Sequence, residues 1–149
     1  MYKRQPRHAG LADAIRDYET RAARYWPVVV REVREEPARS VAPAAVRERE
    51  WARLAVQIPP GARIVACDPG GVEMDSAQFA HWLQEHRDAG RDVAFVIGGA
   101  YGLPDEARSA ASTRLSLAPW TLPHELARLV LAEQLYRAGT IVRGEPYHK

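Results

Sequence analysis

Two short apolar runs constrain this chain most, because both end in turn residues beside the start of a helical pattern. Val93 to Ile97 stops at Gly98-Gly99, and Gly102 follows. Leu115 to Ala118 stops at Pro119-Trp120, and a long amphipathic pattern begins near Pro123. Runs of this length bounded by glycine and proline read as buried strands rather than helices. Two strand ends that open into loops next to helix starts make a crevice. In open α/β sheets, ligands bind in that crevice, outside the carboxyl ends of the strands.

The rest of the chain supplies the other elements of such a sheet. Leu11, Ala14, Ile15, Tyr18, Ala22 and Tyr25 follow helical spacing, so residues 10–25 read as a helix. Val28, Val29, Val30 and Val33 read as a strand, and residues 34–43 as a loop. Pro43 suits the first turn of a helix whose apolar face is Val46, Trp51, Leu54, Ala55 and Ile58. Pro59-Pro60-Gly61 ends that helix. Ile64 to Cys67 reads as a strand closed by the turn Asp68-Pro69-Gly70-Gly71. Asp75 or Ser76 caps a helix carrying Phe79, Trp82, Leu83 and His86, and Gly90 ends it. Pro104-Asp105-Glu106 opens a short helix with acidic residues at its positive end. Thr121 reads as the cap of the last helix, with Pro123 in its first turn. Helices and strands therefore alternate, which predicts one α/β domain over residues 1–149 with a mostly parallel sheet and helices on both faces.

Composition narrows the chemistry. A single cysteine, Cys67, excludes an internal disulfide and any paired-cysteine metal site, and its apolar surroundings predict an inert thiol. No apolar run approaches the ~18 residues of a membrane span, and no signal-peptide pattern is present, which predicts a cytoplasmic protein without a membrane partner. His81 and His86 sit five apart on a helix, on different faces, so no metal site is expected. The net charge of +2 is a weak pointer to nucleic acid. Nearly all the basic residues are arginine, which suits phosphate and base contacts but equally reflects codon bias.

Several residues stand out as chemistry. Glycines after a buried strand let the main chain approach a ligand, or simply form a tight turn. Pro119-Trp120 is either a stacking surface or a core or interface pair. His124, at a helix start, is either a structural histidine or a neutral donor to a substrate carbonyl. Arg128 lies one turn further on the same face and can reach a phosphate or a carboxylate such as Glu125 or Glu133. The end of the chain, Arg143-Gly144-Glu145-Pro146-Tyr147-His148-Lys149, carries a tyrosine, a histidine and two cations, although chain ends normally fray.

The blocks FVIGGAYGL, LSLAPWTLPHELARLVLAEQLYRA and RGEPYHK resemble the RlmH family, and the match runs from about Gly10 to Lys149. These are SPOUT-class methyltransferases that use S-adenosylmethionine to methylate a pseudouridine of bacterial 23S rRNA. The resemblance implies a C-terminal trefoil knot and a homodimer. It implies that Cys67, Gly98 and Leu117, Ala118, Pro119, Trp120, Thr121 and Leu122 hold the cofactor. At Cys67 the family tends to carry a larger aliphatic residue. It also implies that the tail helps form the active site. On that reading His148 is the first candidate for the general base, Tyr147 orients it, and His124 assists. Arg128, Arg143 and Lys149 are the candidate RNA contacts. The implied reaction is N3 methylation on the assembled ribosome. The alternatives are a SPOUT enzyme for another RNA, or a non-catalytic ribosome-associated module. One stretch departs from the family: residues 1–8, MYKRQPRH, stand where an apolar opening strand is expected. A misplaced or truncated start, with residues 1–5 disordered or loosely packed, is the expectation there.

Overall fold

A computed structural model of the chain describes residues 9–37, 39 and 41–149. The expectations for residues 1–8 lie outside the described residues. The elements run α1 (Ala9–Ala22), α2 (Pro43–Ala55), β1 (Arg63–Glu73), α3 (Ser76–Asp88), β2 (Val93–Val96), α4 (Asp105–Ala110), β3 (Thr113–Ser116) and α5 (His124–Arg143). The three strands form a parallel sheet in the order β2-β1-β3. The chain leaves β1 toward one edge, then returns across it to the other. The carboxyl ends of β2 and β3 therefore flank that of β1.

Consecutive residues of β1 explain why both sheet faces are covered. Val65 and Ala66 are both fully buried, and they point to opposite faces. Val65 packs with Phe79, Leu83, Leu115, Leu131 and Ala138, which belong to α3, β3 and α5. Ala66 packs with Trp51, Val96, Leu103 and Ala107, on the side of α2 and α4. Outside α5 lies α1, joined to it through Trp26, whose indole N–H donates to the Leu135 carbonyl at 2.8 Å. The capping of α3 follows the sequence reading: Asp75 accepts from the Gln78 amide at 2.7 Å, and Gln78 returns a bond to the Asp75 amide at 2.8 Å.

Three expectations are corrected. The strand at Val28–Val33 is absent; the segment has no strand partner among the described residues, and Val29 and Val30 are exposed. Valine favours strands because it fits a half-buried pleated surface, and no neighbouring surface is supplied here. Thr121 does not cap α5; Pro123 holds the cap position without a side-chain bond, and the helix starts at His124.

The third correction matters most for the site. Asp68-Pro69-Gly70-Gly71 does not end the strand but lies inside it as a bulge, since Cys67 and Val72 both oppose Leu115. The turn chemistry is real: Asp68 accepts from the Gly70 amide at 3.1 Å. It is also anchored, because Arg108 and Arg114 reach the same carboxylate at 3.1 and 3.7 Å. Glycine is required at 71, where an added Cβ would lie 2.6 Å from the Arg114 carbonyl. The chain can bulge and rejoin its neighbour only because that approach is open.

Candidate functional site

The register brings two loops and the β1 bulge to one end of the sheet. Val96 pairs with Ala66, so Ile97 and Gly98 leave the sheet beside the start of the β1 bulge. Ser116 pairs with Glu73, so Leu117 leaves beside the end of β1. The bulge 68–71, inside the carboxyl half of β1, therefore lies between the glycine loop and the loop 117–122, which leave the carboxyl ends of β2 and β3. Cys67, Gly98 and Leu117–Leu122 are brought to one edge of the sheet in this way.

The glycine loop is a closed hairpin. Gly102 donates its amide to the Gly99 carbonyl at 3.0 Å, and the two residues form an isolated antiparallel bridge. Gly102 has φ of 77°, the left-handed region that glycine fills without strain. At Gly98 an added Cβ would lie 2.5 Å from the Gly102 carbonyl carbon, so the hairpin closes only over a bare main chain. The second loop is open by contrast. Among the described residues, none accepts a hydrogen bond from the amides of Ala118, Trp120, Thr121 or Leu122. The Ser116 hydroxyl donates to the Ala118 carbonyl at 2.8 Å and fixes the entry to this loop. Trp120 is 77% exposed, so its ring is no part of the protomer's core.

Cys67 packs against the core, and burial pushes its thiol up to about 12. The thiolate is the reactive form. At pH 8 native Cys67 is expected to react with iodoacetamide ~10³-fold more slowly than the unfolded chain. Mass spectrometry of the alkylated protein checks this; fast native labelling would refute the inert thiol.

The remaining candidates occupy other positions. His124, the first residue of α5, places Nε2 3.2 Å from Glu35 Oε1. Arg128 is not directed at Glu125 or Glu133; it pairs with Glu19 and Glu32 and ties α5 to α1. Its guanidinium pKa rises, because bonds to these carboxylates outweigh partial burial. The tail folds back on its own helix after Gly144, whose φ of 68° makes it a left-handed C-cap. Tyr147 donates to Glu133 at 3.1 Å and packs on the Tyr136 ring, with centroids 4.6 Å apart. Burial and its hydrogen bonds with Tyr18 and Glu133 raise the Tyr147 pKa, so the hydroxyl stays a donor. His148 Nδ1 lies 3.1 Å from Arg137 Nη1. Arginine can only donate, so Nδ1 accepts and Nε2 carries the proton in this arrangement. Arg143 donates to the Arg24 carbonyl at 3.3 Å and lies over the Tyr25 ring. Lys149 is exposed. No recorded contact joins the tail to either cleft loop among the described residues.

Sequence reasoning missed Glu50. It lies four residues after Val46 and four before Leu54, on the apolar face of α2, and it is 7% exposed. Helical spacing alone would have flagged a carboxylate among core residues. Its Oε1 accepts from the Glu36 amide at 3.2 Å, whereas Oε2 has no partner among the described residues.

Comparison with known proteins agrees with this architecture. A family model described as "Predicted SPOUT methyltransferase" matches residues 4–148. A protein of Gemmatimonas aurantiaca named "Ribosomal RNA large subunit methyltransferase H" is 70% identical over 145 residues, covering 97% of this chain and 94% of that protein. Proteins of the same name from Geobacter sp. strain M21 and Anaeromyxobacter sp. strain K are 47% and 45% identical, over 90% and 93% of this chain. With a match spanning nearly every residue from the glycine hairpin to the tail, the chain belongs to the RlmH family of SPOUT methyltransferases.

Proposed function

We propose that this protein transfers a methyl group from S-adenosylmethionine to N3 of a pseudouridine in 23S rRNA of the assembled ribosome. The observation that carries the reading is the pairing of a closed glycine hairpin with a loop whose amides find no partner among the described residues, both at the carboxyl ends of strands in one parallel sheet. Those amides offer donors to an adenine edge, and Leu117, Pro119 and Leu122 offer apolar contact. Cys67 contributes bulk and no nucleophile. When bound, S-adenosylmethionine supplies an electrophilic methyl carbon on a sulfonium. The chain's own tasks are to hold the base in line and to take the N3 proton. His148 is the proposed base, with Tyr147 as the donor that orients it. Taking the proton requires His148 to exchange its contact with Arg137, because neither ring nitrogen is free while that contact stands. His124 assists, and Arg128, Arg143 and Lys149 are the proposed RNA contacts.

The C-terminal part is proposed to form a trefoil knot, and the protein to work as a homodimer. Leu126 and Val142 on α5 and Trp120 beside it remain exposed in the protomer, as an interface would require. No helix among the described residues is long and apolar enough to cross a membrane, and no group of His, Cys, Asp or Glu there is placed to hold a metal ion.

A chain of net charge +2 has few phosphate contacts to offer naked RNA. Methylation of intact ribosomes is therefore expected to exceed that of a short rRNA hairpin by ~100-fold or more in kcat/KM. Tritium transfer from labelled cofactor reads both, and mass spectrometry of the rRNA locates the product. Equal rates would overturn the ribosome requirement. Failure to bind S-adenosylmethionine by calorimetry would favour the non-catalytic module.

A further inference from the structure

We propose that Glu50 is the counter-charge to the sulfonium of S-adenosylmethionine, set behind the glycine hairpin so that the cleft prefers the cationic cofactor to its neutral thioether product. The inference rests on the methyltransferase reading and adds a residue to it. Glu50 does not belong to either cleft loop. It reaches the hairpin from α2, where its carboxylate lies directly against the main chain of Gly99. An added Cβ at Gly99 would sit 2.6 Å from Oε2 and 3.0 Å from Oε1. Glu50 is 7% exposed, and its Oε2, shielded from solvent, has no partner among the described residues.

The cations on its own helix do not serve it. Arg49 and Arg53 flank Glu50 in sequence, yet both reach Glu36 instead. Among the described residues, the one hydrogen bond to Glu50 comes from a neutral amide, that of Glu36. A buried acid without a positive partner is costly, and an apolar side chain of similar size would normally fold more stably in its place. The position therefore keeps a carboxyl group whose Oε2 the described fold leaves unbonded. Its one functional neighbour is the hairpin proposed to hold a cation. Methyl transfer removes that cation, since the C–S bond breaks and the sulfur keeps the electron pair as a thioether. A fixed charge behind the hairpin thus distinguishes cofactor from product by charge alone, without touching either. Opposite charges about 8 Å apart at an effective dielectric of about 20 are worth on the order of ten- to thirtyfold in an equilibrium.

Calorimetry on the full chain tests this with three ligands: S-adenosylmethionine, S-adenosylhomocysteine, and the analogue bearing an amine in place of the sulfonium. Glu50→Gln keeps the shape and the acceptor for Glu36. The variant should bind both cationic ligands about fivefold or more weakly. Its affinity for the thioether should stay within about twofold, because the lost interaction is Coulombic. Parallel losses for all three ligands would mean that Glu50 only props the hairpin, and would overturn the proposal. So would three unchanged affinities. A wild-type chain that prefers the thioether to both cations overturns it even if the variant does not fold. Binding of none of the three by wild type removes the methyltransferase reading and this inference with it.

Discussion

Gly98→Val is expected to abolish S-adenosylmethionine binding, a loss of ~100-fold or more in affinity, since a β-branched side chain there forces open the close approach on which the hairpin depends. The structure says where the new atoms go. They meet the carbonyl and Cα of Gly102, 2.5 to 2.9 Å from the position of an added Cβ, rather than empty cleft. The change therefore acts by opening the loop and not by filling a pocket. Leu103 and Ala107, the core residues that follow, are buried against Trp51 and Val96, so the sheet and α2 retain their packing. A cooperative thermal melt confirms folding, and calorimetry reads the ligand. A folded variant with undiminished affinity would remove the glycine hairpin from the site.

Mixing two inactive variants is expected to restore activity if the tail serves the partner's cleft. One variant lacks Tyr147 to Lys149 and keeps its hairpin; the other carries Gly98→Val and keeps its tail. After random subunit exchange, half the dimers are mixed, and each mixed dimer has one complete site, so roughly a quarter of wild-type activity returns. The protomer motivates the test. Its tail meets Glu133, Tyr136 and Arg137 on its own α5, and among the described residues no hydrogen bond, ion pair or ring contact joins it to either loop. Mixtures that stay inactive, under conditions where exchange is verified by mass, would place the tail's action within one chain.

What could be read from the sequence followed from local physics. Helical spacing located α1 to within a few residues, and proline and glycine marked the starts or ends of α2, α3 and α4. The run at Val93 gave a strand because buried parallel strands are continuously apolar, whereas the run at Leu115 only overlaps β3 (Thr113–Ser116) and continues into the loop that follows. What failed depended on partners that lie far away in the chain. Val28 to Val33 has the composition of a strand and lacks a neighbour. Asp68 to Gly71 has the composition of a terminal turn, and only the opposing Leu115 makes it a bulge. For the site, the two loops were legible as strand ends. The berth of the tail on α5 and the carboxylates that hold Arg128 were not, because Glu19 and Glu32 lie 109 and 96 residues away from it.

The left-handed turn at Gly144 sends the last five residues back along the helix they leave. The tail is in that sense a ligand of its own chain. Any second position it serves competes with this one, and its availability there is scaled by the undocked fraction. Each ~1.4 kcal/mol of docking lowers that fraction about tenfold. Binding of an RNA that captures the tail would then shift a standing equilibrium rather than order a loose end. The strength of the contacts at Glu133 and Arg137 would set how much substrate is needed to do so.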